Sequence, residues 1–587
     1  MTLGKSMRFI STFALCCAAV GWAGRAGAAG LYFGDRGVRP LGRGGAFVAG
    51  ADDGGAIAYN PAGLAFAGHA YLGDFAWMNY TSTYQRKQIV RQVDPNTGQP
   101  TGQTWEFTYP EVEGRTPVLP IPTAVYSNPL GTKNMNFALG VYAPYAAITS
   151  FPEKVKGQAA PQRYSLITLD GSALAILGVY GSYRPQKEIA LGAGVEALAG
   201  YFQTSVYFSA CVPERFICAP EQPEYDAYGQ LRVGPIVAPS GSLGAIFIPS
   251  DSLRIGASFH LPFWINSPGT QKVRLPSASV FDGAQVSGDA VNVKFNLPWV
   301  ARFGVELRAS ERIRVEAGVA YEAWSMHKTI DVRSEDIALE NIAGFPPVYK
   351  IPPLSIDRGF QDTYSARVGG EYKFPVSSYA LGLRGGVMYE KSAIPKEYLS
   401  ASTIDLDKVT FSVGGSLYLG KWRFDGVLAR VIGTPVEVGV NEQRVKQLNP
   451  VLANPAANPN YVNAGKYTAS ANVLGVGLVY QFDSPAKPPT EPAEHHEPPP
   501  KPKTAPKTET TPEAKPEPAP KVESEKKGEE DFEKAFEQQE LDKKDDKQAG
   551  KGKGGKPGKK DKTDKADKTD KTDKTDKTNK TDKRGKK

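Results

Sequence analysis

Side chains able to do acid–base, nucleophilic or metal chemistry are sparse in this 587-residue chain, and their spacing does not suit catalysis. Of five histidines, His69, His260 and His327 lie in the central region, and none adjoins the Gly-x-Ser-x-Gly elbow that presents an activated serine. Cys211 and Cys218 stand seven positions apart in SACVPERFICAPEQP, with no histidine near them to complete a metal site. In an oxidising compartment such a pair is expected to close a disulfide across a loop. Other charged residues recur at alternate positions: Arg302, Glu306, Arg314, Glu316, Arg367, Glu371 and Arg384. Groups so spaced share one strand face and pair with one another, and an arginine among them could hold a carboxylate bidentately. No catalytic residue, cofactor or metal ligand is expected. The formal charge of +8 gives no argument for a nucleic-acid partner.

The elements that position these charges are strands. Ala301, Phe303, Val305 and Leu307 alternate with Arg302, Gly304, Glu306 and Arg308, so one face is apolar and the other charged. Ile313 to Ala320, Tyr364 to Lys373 and Val409 to Leu419 repeat the pattern. At the N-terminus Lys5 and Arg8 precede an apolar run from Phe9 to Gly24, and Ala26-Gly27-Ala28 is a small-residue cleavage site. Residues 1–28 are therefore expected to be an export signal cut after Ala28. Leu15 stands where a lipobox needs a small residue, so Cys16 and Cys17 leave with the signal. No later segment reaches the roughly 18 apolar residues of a spanning helix. Exported strands of about ten residues that end in aromatics turn their apolar face to lipid, which predicts an all-β transmembrane protein, an antiparallel outer-membrane β-barrel. The alternative, a periplasmic sandwich, would bury that face in one core. Candidate strands near Leu72, Pro122, Phe137, Ala173, Leu191, Leu243, Ile255, Phe303, Val315, Val368, Leu383, Phe411, Phe424 and Leu478 number about fourteen, an even count as single-chain barrels require. Long Pro-, Gly- and charge-rich loops are expected at 98–120, 151–162, 211–229, 269–289, 331–358 and 440–466, alternating with short turns.

Ahead of this barrel, Gly37 to Gly68 is too rich in Gly and Ala for an ordinary surface loop. Gly42, Gly44 and Gly45 permit close backbone approach, Gly54 and Gly55 after Asp52 and Asp53 make a tight turn, and Pro61 ends a helix near Tyr59. Such a segment buries too little to fold alone and is expected to plug a container. Its sequence from Gly44 to Leu64, GGAFVAGADDGGAIAYNPAGL, resembles the N-terminal hatch of the FadL-type family, outer-membrane transporters for long-chain fatty acids and aromatic hydrocarbons. PSDSLRIGASFHLPF (Pro249 to Phe263), Leu297 to Ser325 and Asp362 to Asp425 resemble that family's later strands, so the likeness spans roughly Gly30 to Phe482. It implies a hatch at 29–69 inside a 14-stranded barrel at 70–482, and passive diffusion of a hydrophobic solute that leaves sideways beside a distorted third strand. On this likeness Asn60, Pro61 and Ala62, with Asp52, Asp53, Gly44 and Gly45, form the hatch and gate, and Leu31, Tyr32 and Phe33 line the pocket. The third strand is expected at Met135 to Tyr145. Either Pro144 borders the opening or the strand ends at Ala143.

The terminal strand, NVLGVGLVYQF, ends at Phe482 with the aromatic that barrel-assembly machinery recognises in proteins it resembles, yet about 105 residues follow. This tail (483–587) turns to Pro, Lys, Glu and Thr and then to DKT repeats, a composition expected to be disordered. Its 28 Lys and Arg nearly balance 25 Asp and Glu, so it should not bind strongly to either charge sign. Phe532, Phe536 and Leu541 could dock on a partner. GKGKGGK at 550–556 lacks the Ser or Thr of a phosphate-binding loop. An even strand count puts the tail in the periplasm of a Gram-negative cell, within reach of peptidoglycan or another periplasmic partner, while the barrel meets outer-membrane lipid and lipopolysaccharide. The alternative function is a structural barrel that anchors this tail.

Overall fold

Alternation dominates the fold. In the computed structural model fourteen antiparallel strands close into a barrel. They are β1 (Ala70–Val93), β2 (Pro120–Asn128), β3 (Met135–Tyr142), β4 (Ala173–Gln186), β5 (Ile189–Ser209), β6 (Asp226–Ser250), β7 (Leu253–His260), β10 (Val300–Arg308), β11 (Ile313–Glu322), β14 (Thr363–Val376), β15 (Tyr379–Glu390), β16 (Lys408–Leu419), β17 (Trp422–Gly433) and β18 (Gly465–Gln481). Four further strands, β8 (Phe263–Arg274), β9 (Ala290–Leu297), β12 (Thr329–Ser334) and β13 (Leu354–Asp357), extend the wall at the end of the long connections. Closure is between β1 and β18, from Ala70↔Gln481 to Arg86↔Gly465. Every strand expected from alternation is present. The structure describes residues 36–94, 96–97, 99–116, 120–143, 149–169, 171–210, 221–449 and 460–483. Ala28, Leu31, Tyr32, Phe33, Pro144, Cys211, Cys218 and the tail beyond 483 lie outside the described residues.

The two faces are inverted relative to a water-soluble sandwich. Leu307, Val319, Val368, Leu383, Val413 and Leu428 point outward and are exposed, while Glu306, Glu316, Arg367 and Arg384 are buried inside. Lipid, which bonds no polar group, selects that arrangement, and closure pairs the first strand with the last. Tyr321, Tyr364 and Tyr389 mark one rim of the outer surface, Tyr372 and Trp422 the other. Among the described residues no helix is long and apolar enough to cross a membrane.

Two expectations need correction. β3 ends at Tyr142, which pairs with both Thr123 and Ile176, and not at Tyr145. The Ala143 N–H still reaches the Pro122 carbonyl (3.2 Å), but Pro144 has no N–H with which to continue. Several stretches expected as loops carry strands, including 100–108, 112–115, 338–340 and 348–350. These rise beyond the lipid-facing zone, where both faces meet water or protein and the apolar alternation fades.

The barrel is complete at Phe482. Its N–H donates to the His69 carbonyl (2.8 Å), Lys421 Nζ donates to its carbonyl (2.6 Å), and its ring stacks on His69 at 4.2 Å. A chain ending at Phe482 should therefore keep the heat-modifiable electrophoretic mobility of the full-length barrel. Phe482→Ala should cost about 1 kcal/mol of barrel stability in a urea titration, from the lost ring contacts.

Candidate functional site

Residues 36–68 lie inside the barrel as a plug of very short elements: α1 (Val38–Leu41), α2 (Ala56–Tyr59) and a 3₁₀ turn (Pro61–Phe66). Helices of one turn satisfy few of their own backbone groups, so the wall supplies the partners. Glu316 accepts the N–H groups of Val48 (2.6 Å), Ala49 (3.0 Å) and Gly50 (2.9 Å). Asp74 accepts from Val38 N (2.8 Å) and Ser412 Oγ from Gly44 N (3.0 Å). Val38 and Leu41 pack on Met78, Val427, Val431 and Val473 of the inner wall.

A buried ionic lattice ties plug to wall. Arg39 donates to Asp52 (2.5 Å), Asp53 (2.8 Å) and Glu371 (3.2 Å). Arg314 donates to Asp52 (2.7 Å) and Glu371 (2.6 Å), and Arg423 to Asp53 (2.7 Å) and Asp425 (2.8 Å). Arg43 lies between Glu306 (2.9 Å) and Glu316 (3.3 Å). The wall charges pair with one another, as Arg314 and Arg384 do with Glu371, and also with the hatch, whose arginines and aspartates alternation in the wall could not reveal. Burial would push the Asp53 carboxyl up, but Arg423 and Arg39 outweigh it and hold it well below the usual carboxylate range.

The hatch residues singled out in the sequence come together as one buried body. Asn60 is extended (φ −156°, ψ 102°). Its Oδ1 accepts from Ala62 N (3.1 Å), and its Nδ2 donates to the carbonyls of Val48 (2.9 Å) and Ala245 (3.1 Å). One carboxamide therefore caps the Pro61 turn and joins it to β6. Gly244 of β6 has no side chain because a Cβ would collide with that carboxamide, and a Cβ at Gly386 would meet the Arg43–Gly44 peptide. Gly44 and Gly45 sit at φ +60° and +74°, where side chains are rare. Ala62 packs on Ala190 and Ile246.

Two cavities flank the plug's surroundings. An apolar pocket of about 90 Å³ lies at the long-connection end, among Phe208, Val273, Phe281, Val332, Leu339 and Ile351. A second cavity, about 360 Å³, opens where β3 stops, between Pro122, Tyr142 and Ala143 on one side and Leu174 and Gly200 on the other. Its lining includes the outward-facing Phe75 and Leu177 as well as the buried Tyr142 and Leu174. Arg36 at the start of the plug donates to the Ala143 carbonyl (2.6 Å) and lies over the Tyr142 ring. Arg36, Arg39, Arg43 and Tyr142 escaped the sequence reading. Two arginines four apart in the apolar run GVRPLGRGG were the available signal, since such charges must find partners inside.

His260 sits by Glu196 (2.6 Å), whose other oxygen accepts from Ser242 (2.6 Å). The serine donates to the carboxylate and not to the imidazole. Among the described residues no cluster of His, Cys, Asp and Glu could hold a metal ion.

The family model described as outer membrane protein transport protein (OMPP1/FadL/TodX) matches residues 19–482. The chain belongs to this family. Among solved structures, a Pseudomonas aeruginosa FadL homologue is 16% identical with a TM-score of 0.57, covering 78% of this chain and 100% of that one. A deltaS2 mutant of the TodX monoaromatic hydrocarbon channel is also 16% identical, with a TM-score of 0.50 and coverage of 76% and 99%. At such identity these likenesses establish the fold alone. No curated protein matches the chain. As an OMPP1/FadL/TodX member the protein is an outer-membrane channel for hydrophobic molecules.

In this FadL-type barrel the hatch should be held by charge pairing as much as by packing. Asp53→Ala leaves Arg39 and Arg423 short of a partner in the lumen and should weaken hatch docking by roughly 3–5 kcal/mol. A cysteine placed at the buried Ile57 should then react with a water-soluble maleimide, and Asp52→Ala, at a partly exposed site, should have a smaller effect. Unchanged protection in Asp53→Ala would mean that packing alone holds the plug. Because the folded Asp53 pKa is depressed, its contribution is present in full above the unfolded carboxylate pKa of about 3.9 and is lost only as pH falls through the lower folded value. Protection of Ile57→Cys should thus be flat between about pH 5 and 8.

Proposed function

We propose that the protein takes up small hydrophobic molecules, long-chain fatty acids or aromatic hydrocarbons, by passive diffusion through the plugged barrel and out sideways at the end of β3. The observation that carries this reading is the 360 Å³ cavity where the β3 ladder stops, because its lining includes groups on both sides of the wall. A solute leaving there meets bilayer instead of the aqueous periplasm. The apolar pocket at the long-connection end offers a first resting place, where a solute sheds its hydration. Asn60, Pro61 and Ala62 anchor the hatch to β6, and Arg36 links the hatch to the end of β3, so a small hatch shift would be felt at the opening. Pro144, next in sequence, has no N–H with which to close the ladder.

The test is uptake of a labelled long-chain fatty acid and a labelled alkylbenzene by cells carrying the wild type, the chain ending at Phe482, and Ala175→Trp, which fills the wall cavity. Wild type and truncated chain should accumulate label equally, and the preferred label names the substrate class. Ala175→Trp should lower accumulation at least fivefold while heat-modifiability is retained. Full uptake with the cavity filled would sink the sideways route, and loss of uptake on truncation would favour a tail-dependent function.

A further inference from the structure

The wall contains a second interruption. On one side β6 is paired with β5 over most of its length, but on the other its ladder lapses between Val233↔Gly269, the last pair with β8, and Ser242↔His260, the first with β7. Eight residues on each edge, 234–241 and 261–268, have no ladder partner across this line. At strand rise this is a slit about 26 Å long. Its edges are proline-rich: Pro235 and Pro239 on one, Pro262 and Pro268 on the other. Proline cannot donate to a ladder and is confined to strand edges.

Side-chain phase is the second obstacle to closure. Equal spacing from the flanking pairs sets Val237 beside Ile265, yet Val237 is 73% exposed and faces outward while Ile265 is 2% exposed and faces inward. The edges run one residue out of step. Zipping them would carry a lumen-facing side chain to the lipid face. What crosses the slit is the Leu261 N–H to the Gly241 carbonyl (2.8 Å), Ser240 Oγ to the Leu261 carbonyl (2.9 Å) and Ser267 Oγ to the Pro235 carbonyl (2.9 Å). Between these, the buried side chains of Ile236, Ala238, Phe263 and Ile265 fill the space.

The neighbouring strands are interrupted at the same level. β7 and β8 are separated by Leu261-Pro262, β9 and β10 by Pro298-Trp299, β11 and β12 by residues 323–328, and β13 and β14 by residues 358–362. β8, β9, β12 and β13 pair with one another above these breaks and form a sheet whose outermost strand, β8, borders the slit.

We propose that this slit is a second lateral gate, through which small apolar molecules pass between the lumen and the half of the bilayer nearer the long connections; the proposal rests on the transport reading above. Parting the edges breaks few hydrogen bonds. The four prolines remove N–H groups that lipid would leave unsatisfied, and an apolar solute replaces the contacts of Phe263 and Ile265 as they separate.

The test pairs a distance measurement with a transport measurement. Spin labels at Val237→Cys and Trp264→Cys, in the full chain with Cys211 and Cys218 replaced by serine and reconstituted in bilayers, should give a broad or two-component distance distribution. Labels across the intact ladder at Leu243→Cys and Phe259→Cys should give one narrow distance. Asn266→Cys replaces Trp264→Cys if the tryptophan is needed for folding. A bismaleimide bridge across the slit should lower uptake of labelled alkylbenzene at least threefold, and the same bridge across the intact ladder should not. A slit distribution as narrow as the control, or uptake indifferent to the bridge, overturns the gate. If the wild type accumulates no label, the transport reading fails and the route fails with it, whatever the distances show.

Discussion

Charge neutralisation in the lumen is the constraint on which the rest depends. A barrel that turns its apolar faces to lipid must turn its polar faces inward, and here the inward faces carry arginines and carboxylates out of contact with bulk water. Unpaired, each would be costly. The hatch resolves this by inserting Arg39, Arg43, Asp52 and Asp53 among wall charges of the opposite sign. The dependence runs both ways, because the hatch lacks enough secondary structure to satisfy its own backbone and borrows Glu316, Asp74 and Ser412 from the wall. Plug and barrel therefore specify each other.

Close approach is what this mutual pairing demands of the wall. Where the hatch backbone touches, the strands carry glycine, as Gly244 does against Asn60 and Gly386 against the Arg43 peptide. Elsewhere in the wall the strands carry proline or stop, as along β6 and at the end of β3. Uninterrupted hydrogen bonding along β14 to β18 and onto β1 makes one side of the barrel a rigid support. The interruptions gather on the other side, at the end of β3 and along β6. Continuous and interrupted ladders are thus separated around the circumference.

Much of this was legible before any coordinates. Period-two alternation located all fourteen barrel strands, because lipid on one side and charge on the other impose a binary pattern on every residue. The hatch was legible from Gly44, Gly45 and the Asn60-Pro61 stop, whose backbone requirements are local. The strands beyond the lipid zone were not, since there both faces meet similar surroundings and the pattern vanishes. Nor were the wall partners of Arg39 and Arg43, which lie hundreds of positions away in Glu371, Glu306 and Glu316.

By itself, then, the sequence determined the kind of solvent each strand face would meet, the number of strands and the presence of a plug, all properties written in spacing over a few residues. Tertiary structure alone decided which charges meet, which glycines face the hatch and where the ladder fails. The prolines of 235–268 were visible in the chain, but only the register of β6 against β7 and β8 set them on opposite edges of one slit. Register is a relation between strands, and no single strand contains it.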